Sequence, residues 1–226
     1  MEIVSCVHVV RDRFANAYLI IDPDGLTLID TGLARSGKPI LAYVAAMGFA
    51  FTDLKRIIVT HADGDHAGGA GALKALSGAR VYASPAEAAA LADGCPSREL
   101  KLRPWLLRLV GRLFPWIYSQ PVTVDEMLSH DQRLPVLGEL RVLATPGHTP
   151  GHTSLYAPQE RILFSGDSLI GDRHGNLHLS YPDFTWDQAQ ALQSARLQAR
   201  LGAQIVCPGH GRVVMNAARK FPAHLL

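Results

Sequence analysis

The chain has 226 residues, of which 48% are hydrophobic, and it carries 22 Lys and Arg against 20 Asp and Glu, a formal net charge of +2. This length suits one large α/β domain or two small ones, and the balanced charge excludes a strongly basic nucleic-acid-binding surface. Three Cys without a Cys-x-x-Cys pair argue against a disulfide framework and for a reducing compartment. Without a signal-peptide pattern or an apolar run of about 18 residues, we expect a soluble cytoplasmic protein.

Short apolar runs alternate with Ala- and Leu-rich segments, which predicts an α/β fold. Strands are predicted, in chain order, over residues 3–10, 17–21, 26–29, 56–59, 80–83, 140–144, 154–156, 161–164 and 204–207. Helices are predicted over 38–47, 68–76, 85–93 and 185–201. The last two follow the capping-box patterns Ser84-Pro-Ala-Glu87 and Thr185-Trp-Asp-Gln188.

Polar residues follow five of these predicted strands, one to four positions after the strand ends. In layered α/β folds, ligands gather where strand ends converge. We therefore expect these five exits to meet at one site. The residues concerned are Asp30, His61, His148, Asp167 and His210.

The segment His61-Ala-Asp-Gly-Asp-His66 contains four side chains with metal-ligand chemistry: His61, Asp63, Asp65 and His66. A loop that leaves a strand can point such close neighbours at two adjacent ions, whereas a continuous helix could not. Gly64 gives the backbone room to turn.

Three later candidates, His148, Asp167 and His210, are each flanked by Gly. Any one of them alone is more often a turn residue with a solvated side chain. The joint pattern, in which every candidate follows a strand, favours a metal site instead.

With these residues in place, the sequence resembles the metallo-β-lactamase superfamily. That family carries a His-x-His-x-Asp-His motif, then a His, a bridging Asp and a last His, on an αββα sandwich. The resemblance implies a single metallo-β-lactamase domain over residues 1–226. The matching segments, in family order, are 16–20, 28–32, 60–69, 146–152, 164–168 and 208–211.

The resemblance also implies two divalent metal ions, most simply zinc. Asp30 would not bind the metal itself but would orient one of its ligands. Asp65 would orient the attacking nucleophile as well as bind metal. The implied ligands are His61, Asp63 and His148 for one ion, Asp65, His66 and His210 for the other, and Asp167 as the bridge.

Position 63 departs from the family motif, because it holds Asp where His is common. An additional carboxylate should lower the Lewis acidity of its metal, raise the pKa of bound water and shift preference from zinc toward manganese or iron. Flavodiiron proteins resemble this variant, with Glu at the same place. The alternative is that Asp63 is too short to reach the metal.

Residues 97–120 differ in character from the rest of the chain and are interpreted as a helical insertion. Its stretch 103–116 is apolar, aromatic and basic, without an acidic residue. It could cover the pocket as a lid, form a homodimer contact, or rest on a membrane surface. We expect the lid or the dimer contact, because only one short helix is involved.

The resemblance implies a hydrolase in which a metal-bridging hydroxide attacks a small ester, thioester or lactone. Short members similar to glyoxalase II or to acyl-homoserine-lactone hydrolases share the Pro-Gly-His-Thr and Gly-Asp-Ser features. No glutathione-binding domain is evident after His210, which argues against a strict glyoxalase II. The alternatives are an iron-dependent redox enzyme of oxygenase or diiron type, suggested by Asp63, and an inactive binding protein. His174, His178 and Tyr181 could line the substrate pocket or lie in a solvated loop.

Overall fold

The first half of the chain forms a sheet whose strand order follows the chain order. The computed structural model describes residues 1–11, 14–34, 37–98 and 119–225. Within them, the first four strands pair antiparallel and the later ones parallel. The seven strands of this sheet are β1 (Glu2–Val4), β2 (Val7–Arg11), β3 (Asn16–Asp22), β4 (Gly25–Ile29), β5 (Leu54–Ile58), β6 (Arg80–Ala83) and β7 (Glu126–Met127).

Two tight turns set the beginning of this sheet. The strand predicted over residues 3–10 is in fact two, because Cys6 has a positive φ of 67° and reverses the chain between β1 and β2. Asp22 pairs with Gly25 across a two-residue loop, which joins β3 and β4 in a hairpin.

Four helices accompany this sheet among the described residues: α1 (Gly37–Ala46), α2 (Gly64–Ala67), α3 (Ala70–Ser77) and α4 (Pro85–Asp93). The helix predicted over 68–76 is observed as α3, which begins two residues later and is preceded by the one-turn helix α2. A Cβ on Gly68 would collide with the backbone of Gly64 and Ala34. Only glycine fits at this close approach.

The second half of the chain forms a separate sheet in the order β15-β14-β11-β10-β9-β8 and a hairpin of β12 and β13. All pairs are antiparallel except β11 with β14. Its helix is α5 (Gln188–Ala199). The strands are β8 (Arg133–Leu134), β9 (Leu140–Ala144), β10 (Thr153–Ala157), β11 (Ile162–Gly166), β12 (Leu169–Gly171), β13 (Leu177–Leu179), β14 (Ile205–Pro208) and β15 (Val214–Met215).

The contacts divide the chain into two compact units, Met1–Met127 and Leu128–Leu226. Each unit has its own buried apolar core. In the first, side chains such as Leu28, Ile57 and Leu73 are fully buried. In the second, Leu163, Val206 and Ala195 are fully buried. These cores hold the strand exits of each unit in fixed positions.

The N-terminus of α5 differs from the prediction. Thr185 is not its cap, because the Thr185 hydroxyl donates to the carbonyl of Tyr181. Asp187 is the cap, and its Oδ1 accepts the backbone N–H groups of Ala189 and Gln190. None of the helices in the described part of the chain has the length and apolar character needed to cross a membrane. The predicted insertion falls, apart from residues 97, 98, 119 and 120, outside the described residues.

Candidate metal centre

The metal-motif loop, residues 61–66, begins three positions after the last residue of β5, and its residues 64–66 form the start of α2. Its two histidine rings lie close together, with centroids 4.1 Å apart, and both are fully buried. The motif therefore has the position that the sequence predicts for it, at the end of a parallel strand.

Asp30 controls the orientation of both rings. Its carboxylate accepts hydrogen bonds from the Thr60 backbone N–H (2.8 Å), from the Thr60 hydroxyl (2.8 Å) and from His66 Nδ1 (2.9 Å). Because the Thr60 hydroxyl donates its proton to Asp30, its oxygen accepts from His61 Nδ1, 3.0 Å away. Both imidazoles therefore carry a proton on Nδ1, and in the neutral ring Nε2 keeps the lone pair that a metal needs.

The Nε2 atoms of these rings face the carboxylates of the same loop. His61 Nε2 lies 3.7 Å from Asp63 Oδ2, and His66 Nε2 lies 4.0 Å from Asp65 Oδ2. These distances are too long for hydrogen bonds. They match two ligands of one ion, because ligands that are each about 2.1 Å from a metal lie roughly 3–4 Å apart.

A buried glutamate supports the loop from α4. Glu87 is fully buried, its Oε2 accepts from Ala62 N (2.7 Å), and its Oε1 accepts from Ser97 Oγ (2.8 Å). The sequence predicted that Glu87 would complete a capping box with Ser84. The Ser84 hydroxyl does accept a hydrogen bond from Glu87 N. The Glu87 carboxylate, however, binds the backbone of the motif loop at Ala62.

The second unit contains its own group of candidate ligands. His148 follows β9, Asp167 follows β11 and His210 follows β14. Asp167 Oδ2 lies 3.6 Å from His148 Nε2 and 3.1 Å from His210 Nε2. His148 Nδ1 is hydrogen-bonded to Ser180 Oγ at 3.0 Å. The two predicted histidines of this unit are thus brought together at the carboxylate of the third predicted residue, Asp167.

His152 supports Asp167 through the backbone. Its Nε2 accepts the N–H of Asp167 at 3.0 Å, so the proton is on Nδ1, which donates to Thr145 Oγ1 at 2.8 Å. The Thr145 hydroxyl then donates to Ser154 Oγ (2.8 Å), and Ser154 donates to the carbonyl of Ser165 (3.1 Å). This directed chain of buried hydrogen bonds fixes the turn that carries Asp167.

Gly147 allows the turn before His148. Its φ is +139°, and a Cβ at this position would collide with the backbone of Ala191 in α5. The adjacent backbone is fixed by the N–H of Asp187, which donates to the Gly147 carbonyl at 2.9 Å. The first turn of α5 therefore packs directly against the loop that positions His148.

The second unit also has an open cavity of about 800 Å³. Apolar side chains of β13 and α5 line it, together with Arg219 and Lys220. Ser180, which bonds His148, is part of its wall. His178 and Tyr181 lie on this cavity, whereas His174 is an exposed residue that does not line it.

Imidazole nitrogens and carboxylate oxygens are the donors that zinc and other divalent transition metals prefer. In both units, histidine Nε2 atoms lie within 4.0 Å of carboxylate oxygens. The donor chemistry of the seven predicted ligands therefore fits divalent metal ions.

The comparison with protein families gives the same interpretation. The model of the family described as "Metallo-beta-lactamase superfamily" matches residues 10–210, a range that includes all seven residues. The chain belongs to the metallo-β-lactamase superfamily. The family and fold predicted from the sequence are confirmed, and the coarser prediction of a metallo-hydrolase is supported.

Three proteins illustrate how this superfamily member relates to others. The probable metallo-hydrolase YflN of Bacillus subtilis is 28% identical, with 93% of this chain and 85% of that protein aligned. A hydroxyacylglutathione hydrolase of Cereibacter sphaeroides is 31% identical over 79% of this chain, which spans 56% of that enzyme. The solved structure of a metallo-β-lactamase variant from Cronobacter sakazakii is 31% identical, with a TM-score of 0.71 and coverage of 93% and 79%.

The sequence patterns do not identify two supporting residues, Glu87 and Ser180. The spacing of Glu87 from Ser84 predicts only a helix cap, and Ser180 belongs to no motif. The one available signal was at Glu87, where a carboxylate follows a strand of the same parallel sheet.

Proposed function

We propose that this chain is a binuclear metallo-hydrolase that binds two divalent ions, zinc in preference to manganese or iron, and cleaves a small ester, thioester or lactone. One observation carries this proposal: His61, His66 and His148 each have Nδ1 held by a protein partner and Nε2 directed at a carboxylate. The proposed ligands are His61, Asp63, Asp65, His66, His148, Asp167 and His210.

Divalent ions bound by these residues would supply Lewis-acid polarisation of the scissile carbonyl and would lower the pKa of a water molecule. We assign the orientation of the attacking water to Asp65. Its side chain is 22% exposed, against 12% for Asp63 and 6% for Asp167, so it is the most accessible carboxylate of the three. Asp30 would keep His66 in the tautomer that binds metal.

The likeness to hydroxyacylglutathione hydrolases supports an acyl substrate, because their name denotes hydrolysis of an acyl derivative of glutathione. This chain spans just over half of that enzyme, and the proposal concerns the acyl carbonyl of the substrate and not its thiol part. Esters, thioesters and lactones share an electrophilic carbonyl carbon, which is the centre that the proposed site would attack.

The test is metal analysis of natively purified protein, followed by a hydrolysis screen over esters, lactones, thioesters, β-lactams and phosphodiesters. His66→Ala in the first unit and His148→Ala in the second should each lower metal content and abolish hydrolysis. Exposed His174→Ala is the matched control and should change neither.

Hydrolysis that persists unchanged after chelation would overturn the proposal. Oxygen uptake and visible absorption of anaerobically purified protein would instead assign the iron-dependent redox chemistry. A protein that binds no metal at all would leave only a binding role for the fold.

A further inference from the structure

Asp63, the residue that departs from the family motif, is paired with an arginine from outside the motif. Arg98 Nη2 lies 2.6 Å from Asp63 Oδ2. Both side chains are only 12% exposed. A charge-assisted hydrogen bond this short and this poorly solvated couples the two groups strongly, so removal of either partner changes the electrostatic surroundings of the other.

The position of Arg98 is fixed by its neighbour. Ser97 Oγ donates to Glu87 Oε1, and Glu87 Oε2 accepts from the backbone of Ala62. Two adjacent residues, 97 and 98, are therefore tied to two adjacent residues, 62 and 63, of the motif loop. This double attachment delivers the guanidinium to Asp63 in a defined place.

The charge of the motif loop follows from this pairing. With His at position 63, the common motif carries one carboxylate, at the position of Asp65. With Asp63, this loop carries two carboxylates. The positive charge of the Arg98 guanidinium brings the net charge back to that of a single carboxylate. Arg98 engages Oδ2, the same oxygen that lies 3.7 Å from His61 Nε2, so the pairing holds the carboxylate in one orientation toward that ring.

We propose that Asp63 and Arg98 together replace the missing histidine of the motif: a ligand pair with no net charge that offers the metal one donor atom, as a neutral imidazole does. Arg98 is thereby a positioning residue for Asp63. This inference rests on the proposed function, since it concerns the metal that Asp63 would bind. It differs from the expectation that Asp63 alone would lower Lewis acidity and shift preference toward manganese or iron.

The experiment is a double-mutant cycle that measures zinc and manganese affinity by competition with a chromophoric chelator. Arg98→Met should lower the zinc-to-manganese affinity ratio by about tenfold, because Asp63 loses the guanidinium that restrains it and can bind as a bidentate carboxylate of the kind that harder ions prefer. Arg98→Lys keeps the charge and should retain the ratio. Arg141→Met is the control, since Arg141 makes an ion pair of the same 2.6 Å length with Asp131 on the surface.

The second arm of the cycle restores the family motif. Asp63→His alone places Arg98 beside a neutral ligand and a dication, so zinc affinity should fall. Adding Arg98→Met to Asp63→His should recover it by about tenfold or more. The cobalt-substituted proteins provide a spectroscopic readout, and the double variant should resemble the wild type in coordination number.

Two results would overturn the inference: an unchanged zinc-to-manganese ratio in Arg98→Met, or equal zinc affinity of Asp63→His with and without Arg98→Met. Thermal unfolding of each metal-free variant checks folding, and Arg98→Lys keeps the test open should Arg98→Met not fold. Wild-type protein that binds no metal would overturn the proposed function instead, so the two failures are distinguishable.

Discussion

Asp30 Oδ2 accepts a hydrogen bond from His66 Nδ1 at 2.9 Å, and this single contact decides which nitrogen of His66 can bind a metal. Asp30 has a φ of +58°, a conformation that Asn adopts as readily as Asp. Asp30→Asn therefore changes the hydrogen bonding without additional backbone strain.

We expect Asp30→Asn to lower metal affinity by about 10- to 100-fold. The carboxamide oxygen can still accept from Thr60, but its NH₂ group then faces His66 Nδ1 and drives the proton to Nε2. Chelator competition measures the affinity, and ¹⁵N NMR of the histidines reports the tautomer. The exposed Asp183→Asn is the control. Unchanged affinity together with an Nδ1-protonated His66 would contradict this role for Asp30.

His152 is expected to contribute to stability through the N–H of Asp167. In His152→Phe this buried N–H loses its acceptor, at a cost of about 1–3 kcal/mol in the free energy of unfolding, and metal content should fall as well. His152→Gln can place its carbonyl oxygen near the position of Nε2 and should recover part of the lost stability and part of the lost metal content. Urea denaturation and metal analysis are the measurements. Equal losses of stability and metal content in the Phe and Gln variants would show that the hydrogen bond to the Asp167 N–H does not cause them.

Gly147→Ala should destabilise the protein by roughly 3 kcal/mol, through overpacking against α5 and backbone strain together. Gly78→Ala is a matched control, because Gly78 also has a positive φ, of 74°, but has open space where a Cβ would stand. It should cost about 1–2 kcal/mol. Equal unfolding free energies for the two variants would contradict the close approach of Gly147 to Ala191.

The cap of α5 predicts a specific pH dependence. The backbone N–H of Gln190, and after it the Gln190 side chain, hold the pKa of the Asp187 carboxyl below its ordinary value. The folded state thus favours ionised Asp187. Its contribution is complete above the unfolded pKa of about 3.9, and it is lost as the pH falls through the lower folded pKa.

Asp187→Ala should accordingly lower the urea midpoint at neutral pH, and the difference from the wild type should shrink below about pH 4. Thr185→Ala removes the hydroxyl that the sequence suggested as the cap. It should leave the pH dependence unchanged, since Thr185 does not contact the N–H groups of α5. A pH-independent difference for Asp187→Ala would assign the loss to something other than the carboxylate.

Much of the site could be predicted because strand exits are encoded locally. His61, His148 and His210 each stand beside a short β-branched or apolar run, and the period of that run fixes where the strand ends. The supporting contacts could not be predicted in the same way. Glu87 fits a capping box by its spacing from Ser84, and only the parallel neighbour relationship of β5 and β6 turns its carboxylate toward Ala62.

Arg98 illustrates the same limit more strongly. It is separated by 35 positions from Asp63, and no periodic pattern connects a guanidinium to the carboxylate that it neutralises. The misplaced cap of α5 has a different cause. Thr185 and Asp187 are both competent caps, and the choice is made by the packing of the first turn against the loop of Gly147, which is a tertiary effect.

The strand order of the first sheet has a consequence for biosynthesis. Every ladder from β1 to β7 joins strands that are consecutive in the chain. Each strand can therefore pair with the strand before it as the polypeptide leaves the ribosome. In the second half, β11 can pair with its parallel partner β14 only after α5, which lies between them in the chain, has been synthesised. The nascent chain can thus form the His61–His66 loop before the turn that bears His210, which is completed only after α5 and β14 have been synthesised.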